Sequence, residues 1–136
     1  MKYEFKTTPY AHQTTALVKS WNRREYAYFM EMGTGKSKVL VDNMAILYGK
    51  GAINAALIIA PKGVYRNWSE REISTHLPDC ITTRIGVWSA SPKKKEKDAI
   101  LSLFDITEDL KILVMNVEAF STKKGVACAE KFLELH

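Results

Sequence analysis

The run Glu31-Met32-Gly33-Thr34-Gly35-Lys36-Ser37 is where the residue types and their spacing point most directly to chemistry. Gly33 and Gly35 can take backbone angles that turn successive N–H groups inward, which makes a nest for an anion. A helix beginning at the end of the run would aim its unsatisfied N–H groups and positive dipole end at the same place. Lys36 would add a mobile positive charge for the β- and γ-phosphates of a nucleotide, and is the candidate catalytic cation. The Ser37 hydroxyl would ligate Mg²⁺. The run follows the phosphate-loop pattern G-x-x-x-x-G-K-[ST], except that Met30 stands at the first glycine position. Gly33, Thr34, Gly35, Lys36 and Ser37 are therefore the candidate phosphate-binding residues. A glycine-rich turn before a helix capped by Ser37 would explain the glycines, but not a lysine placed beside that serine.

Such a loop needs a strand before it and a helix after it, and the flanking patterns provide both. Residues 26–30 (YAYFM) are a short aromatic-rich run that reads as a strand. Residues 37–48 read as a helix closed by Gly49 and Gly51. Upstream, Tyr10, Thr14, Leu17 and Trp21 recur at helical spacing over residues 10–21, with Pro9 in the first turn and Thr7 or Thr8 near the cap. Downstream, residues 55–60 (AALIIA) form an apolar run stopped by Pro61, as expected of a strand covered on both faces. A helix is expected over 64–74, a strand over 82–88, and a helix over 93–104 opened by Ser91-Pro92. Another strand is expected over 111–115 (KILVM) and a closing helix over 125–136. Strands alternating with helices call for crossover connections, and so for one α/β unit with a parallel sheet flanked by helices.

A phosphate loop alone does not name a family; the residues around it narrow the choice. Pro9-Tyr10-Ala11-His12-Gln13 followed by an amphipathic helix resembles the Q-motif region of superfamily 2 helicases of the DEAD/DEAH type and of their Snf2-like relatives. The resemblance makes Tyr10 the residue that stacks on adenine and Gln13 the reader of its edge, a task suited to an amide with one donor and one acceptor face. Read alone, Tyr10 would be core and Gln13 a solvated helix residue. Leu57-Ile58-Ile59-Ala60-Pro61-Lys62 with Asn67-Trp68 downstream resembles motif Ia of Snf2-like proteins. The resemblance assigns Lys62 to the nucleic-acid backbone, while Trp68 reads as core. Lys93, Lys94, Lys95 and Lys97 occupy a place where relatives often carry a basic stretch; a solvated helix face explains them equally well. Residues 112–120 (ILVMNVEAF) resemble the strand and turn that precede the Walker B strand. Asn116 and Glu118 lie in that turn, where either could cap the next helix.

The fold implied is a RecA-like P-loop NTPase domain, and an incomplete one. The family next expects an apolar strand ending in Asp-Glu, and no such pair occurs. Asn116 with Glu118 would be a degenerate substitute; the simpler expectation is that the chain stops before that motif. The resemblance thus implies the ATP-binding part of an ATP-dependent helicase or translocase, with ATP and Mg²⁺ as cofactors and nucleic acid as partner, DNA ahead of RNA. It implies further that the rest of the motor, or another chain, covers an open sheet edge, and that the chain alone hydrolyses ATP negligibly. A small kinase-like P-loop protein without nucleic acid, and a non-catalytic interaction module, are the competing classes. The lack of an N-K-x-D motif disfavours a GTPase, and Tyr10 and Gln13 have no task in a small kinase.

Composition sets the outer bounds. The chain has 136 residues, 46% of them apolar and 26% charged, close to the globular average. With 20 Lys and Arg against 15 Asp and Glu, its net charge is +5, which permits an acidic partner without naming one. No apolar run is long enough to cross a membrane and no signal-peptide stretch opens the chain, so a cytoplasmic address is expected. Cys80 and Cys128 are too few for a disulfide framework and are expected to be small buried residues.

Overall fold

In the computed structural model, residues 5–20, 36–63 and 65–136 are described here. The strand expected over 26–30 lies outside them. The chain divides into two compact units, residues 1–53 with 72–81, and residues 54–71 with 82–136.

The first unit is helical. Helix α1 (Ala11–Ser20) packs against α2 (Lys36–Gly49), which also meets α4 (Ile73–His76). Leu17, Val39, Val41, Met44, Ala45, Ile73 and Leu77 are buried. Helix α1 starts one position later than its sequence suggests. Tyr10 is the capping residue, because its carbonyl accepts from Gln13 N and Thr14 N at 3.0 and 3.1 Å. Neither threonine caps the helix: the Thr7 hydroxyl is bound instead to His76 Nδ1 at 2.8 Å. Helix α2 ends in a Schellman motif, with Gly51 N on Tyr48 O and Ala52 N on Leu47 O. Gly51 carries the left-handed turn at φ +74°, so it, rather than Gly49, is the residue that needs no Cβ.

The second unit is a three-stranded sheet of β1 (Ala55–Ala60), β2 (Thr83–Val87) and β3 (Leu110–Asn116). All neighbours are parallel, in the order β1-β3-β2. The connection from β1 to β2 contains α3 (Tyr65–Asn67), a π-helical stretch (Trp68–Glu72) and α4. The return to β3 contains α5 (Lys94–Ser102), and a 3-10 turn (Val117–Ser121) leads into α6 (Lys123–Leu135).

Strand β3 lies in the middle because it alone can be buried along its length. Leu110, Ile112, Leu113, Val114 and Met115 are all inaccessible to solvent, each contributing about 1.5–3 kcal/mol of gross burial. Leu113 and Met115 join Leu103, Ala119, Ala129 and Phe132 in one core cluster, so α5 and α6 cover that face. On β2, Gly86 lets α5 approach closely: a Cβ there would meet Leu103 Cδ1 at 2.7 Å.

Three expectations about burial are corrected. Strand β1 is only partly covered, with Ile59 49% exposed, because it pairs with β3 alone among the described residues. Trp68 is half-buried, and the buried aromatic of that segment is Tyr65. Cys80 is exposed, in the turn closed by Ile81 N on Pro78 O, and Cys128 is half-buried.

Candidate functional site

Helix α2 (Lys36–Gly49) takes in Lys36, the lysine of the phosphate-loop pattern. Fourteen residues of helix therefore follow the glycines, with no acid in the first turn. The N-terminal end of a helix, where N–H groups lack partners within it, is a seat for an anion. Gly33, Thr34 and Gly35 lie outside the described residues, and of Lys36 and Ser37 only the helical backbone is described.

Lys38, in the same turn, is excluded from phosphate work. It is 4% exposed, its Nζ donates to Asp42 Oδ2 at 2.8 Å, and it lies over the Phe5 ring at 5.0 Å from the centroid. His76 is close to this pair and packs with the Thr7 hydroxyl and Glu72, whose Oε2 is 3.7 Å from Nε2. Burial first, and then repulsion by Lys38, push the His76 pKa below its usual value against the pull of Glu72 and Asp42. Sequence reading missed this cluster. Its visible signals were the i,i+4 spacings of Lys38 with Asp42 and of Glu72 with His76.

The adenine-reading pair is divided in its surroundings. Tyr10 is 71% exposed and lies flat against the His12 ring, with centroids 5.9 Å apart and planes 14° apart. Its phenol ring is thus accessible to a base and not part of the core. Gln13 is 6% exposed, and its Oε1 accepts from Tyr10 N at 2.8 Å. The two residues lie together, but the acceptor of the Gln13 amide serves the start of α1.

In the second unit, parallel pairing brings the carboxyl ends of all three strands to one edge. That is the edge at which open α/β sheets take ligands. Lys62 follows β1 there and is exposed. Beside it, Glu118 receives Asn116 Nδ2 at 3.1 Å. The Glu118 carboxyl is held below the usual carboxylate range by its own backbone N–H, by Asn116, and by the N–H and charge of Lys62. Asn116 stands at the N-cap of the 3-10 turn without a side-chain cap bond, its amide going to Glu118 instead, and neither residue caps α6. Helix α6 is capped by Thr122, whose Oγ1 accepts from Gly125 N at 3.0 Å.

Lys93, Lys94 and Lys95 open α5 on this edge, and Lys123 and Lys124 open α6. These are the positive ends of the helix dipoles, where cations are unfavourable by about 0.3–1 kcal/mol each. At α5 the opposing acid is Glu96. Its Oε1 accepts from Lys93 N at 3.1 Å, and its Oε2 meets Arg66 at 3.4 Å. A cavity of about 610 Å³ opens between the two helix starts, lined by Trp88, Ser89, Ser91, Lys97, Leu101 and Lys124 among others. Sequence reading singled out Lys97 but neither Trp88 nor Lys124. A tryptophan at a strand end followed by Ser-Ala-Ser-Pro was the available signal.

Among the described residues, no group of three or more His, Cys, Asp and Glu could hold a metal ion, and no helix is long and apolar enough to cross a membrane. Compared with protein-family models and with curated proteins, the chain matches none.

Proposed function

We propose that this chain is the ATP-binding part of an ATP-dependent nucleic-acid helicase or translocase of the RecA-like P-loop class, acting on DNA ahead of RNA. One observation supports the reading: Lys36 and Ser37, which follow Gly33-Thr34-Gly35 in the sequence, belong to helix α2 (Lys36–Gly49). A phosphate cradle requires that arrangement. Lys38, tied to Asp42, leaves the phosphates to Lys36, and Ser37 in the first helical turn would meet the Mg²⁺ that accompanies ATP. The exposed ring of Tyr10 supports adenine stacking. The role of Gln13 is then as much to hold Tyr10 at the helix start as to read the base. Exposed Lys62 on the carboxyl edge supports contact with a phosphate backbone.

Hydrolysis needs an oriented water and charge stabilisation at the γ-phosphate besides the cradle. The 136 residues contain no Asp-Glu pair for that task, so the chain by itself turns ATP over negligibly. Calorimetric titration with Mg-ATP tests the cradle. Lys36→Ala is expected to weaken binding by about tenfold or more, equivalent to about 1.4 kcal/mol. Equal affinity in the two proteins would overturn the cradle, whereas steady turnover that vanishes in Lys36→Ala would overturn the negligible hydrolysis alone. For nucleic acid, Lys62→Ala is expected to weaken salt-sensitive binding to oligonucleotides.

A further inference from the structure

The cavity between the starts of α5 and α6 has a composition that the phosphate loop and Lys62 leave unused. We propose that it is a base-stacking pocket for single-stranded nucleic acid, in which one unpaired base lies on Trp88 while its flanking phosphates meet Lys97 and Lys124. The inference rests on the nucleic-acid reading above and deepens it by naming the form of the strand.

Four observations converge. First, a volume of about 610 Å³ falls within the range of small-ligand pockets, about 300–1,000 Å³. Second, Trp88 is held from both sides of its peptide: its N–H donates to Val114 O at 2.8 Å, and its carbonyl accepts from the Tyr65 hydroxyl at 3.0 Å. The ring is half-buried against the cluster that contains Leu103 and Phe132, so a platform exists before any ligand arrives. Third, Lys97 and Lys124 are exposed, and neither meets a carboxylate among the described residues. Fourth, Lys124 and Lys123 stand at a helix start where their charge opposes the dipole. A bound anion relieves that repulsion.

Charge decides between a free nucleotide and a strand. One phosphate is served by two ammonium groups. The same sheet edge carries exposed Lys62, Lys93, Lys94, Lys95 and Lys123 as well, more cations than a single nucleotide uses. Shape decides between one strand and two, because a base can enter a cavity over Trp88 only when it is out of a duplex stack.

The test is fluorescence anisotropy on the full chain with a labelled oligothymidylate of about twelve nucleotides. The comparison arms are an abasic strand of equal length, the same sequence as duplex, and unlabelled thymidine monophosphate as competitor. Losing the bases is expected to weaken binding at least about fivefold, since stacking is worth about 1–3 kcal/mol per base. Trp88→Leu is expected to bring the base-bearing strand down to the abasic affinity. The joint Lys97→Ala and Lys124→Ala substitution is expected to lower the salt slope by about 1.4, at about 0.7 per contact. Equal binding of abasic and base-bearing strands, tighter binding of duplex, or full competition by the mononucleotide would each overturn the pocket. Salt-sensitive binding that ignores the bases and survives the double substitution would overturn it too, yet leave the nucleic-acid reading standing. No oligonucleotide binding at all would remove both.

Discussion

The two edges of the parallel sheet handle positive charge in opposite ways. At the amino edge, Arg84 of β2 and Lys111 of β3 are direct cross-strand partners, a placement that sets like charges side by side. Both are fully engaged. Arg84 donates to Asp109, to Asp105 and to the Ser102 carbonyl, each at 3.0 Å. Lys111, 1% exposed, donates to the carbonyls of Thr107 and Asp109 at 2.6 and 3.1 Å. At the carboxyl edge, Lys97 and Lys124 are exposed and unmatched by carboxylates among the described residues, and Lys123 and Lys124 stand against a helix dipole. Cations that serve the fold are enclosed by acceptors. Cations that cost the fold a little and gain nothing within it are available to a ligand.

Three measurements can break that contrast. The largest effect is expected from Lys111→Met, which keeps the apolar stem but takes the donor away from two part-buried carbonyls. Denaturant unfolding should show a loss of about 1–3 kcal/mol, and a neutral result would strip the amino edge of its structural role. Next comes acid. Hydrogen bonds from Thr82, then Arg84, hold the Asp109 carboxyl below its usual value of 3.8. The stability this provides is present above pH 3.8 and is lost as pH falls through the lower folded value. The Asp109→Asn variant should be less stable at neutral pH and should lose less between neutrality and acid than the parent protein. Identical pH profiles would contradict the linkage. Smallest of all, Lys97→Ala with Lys124→Ala should change stability by no more than about 0.5 kcal/mol, with a slight gain as the favourable sign. A loss well beyond that would make the carboxyl-edge lysines structural and end the comparison.

How much was legible in the residues depended on whether the signal was local. The apolar run of β3 and the proline that stops β1 are local, and both strands form where they were expected. The helix expected over 37–48 forms as α2 (Lys36–Gly49), a signal local in the same sense, while the glycines before it lie outside the described residues. The cap of α1 was misjudged because Thr7 is drawn to His76, a partner far along the chain. The cap of α6 was missed because Asn116 and Glu118 satisfy each other, leaving the task to Thr122. Lys111 opened the strand expected over 111–115 as its one charged residue; the carbonyls of Thr107 and Asp109 are what let it be a core residue. The pocket was invisible because Trp88, Lys97 and Lys124 come from different elements.

By itself the sequence determined that the fold is α/β, that the sheet is parallel with helices against it, and where β1, β2 and β3 lie to within a residue at each end. These follow from periodicity, from glycine and proline, and from caps, all of which act over a few residues. The tertiary structure decided which charges are spent and which remain available. The energy of a lysine depends on what surrounds it in space: a ring of carbonyls at Lys111, a carboxylate at Lys38, open solvent at Lys97 and Lys124. The partners of Lys111 and Lys38 lie within four residues of them in the chain, but the burial of Lys111 comes from β3 entering between β1 and β2, an event of long-range packing.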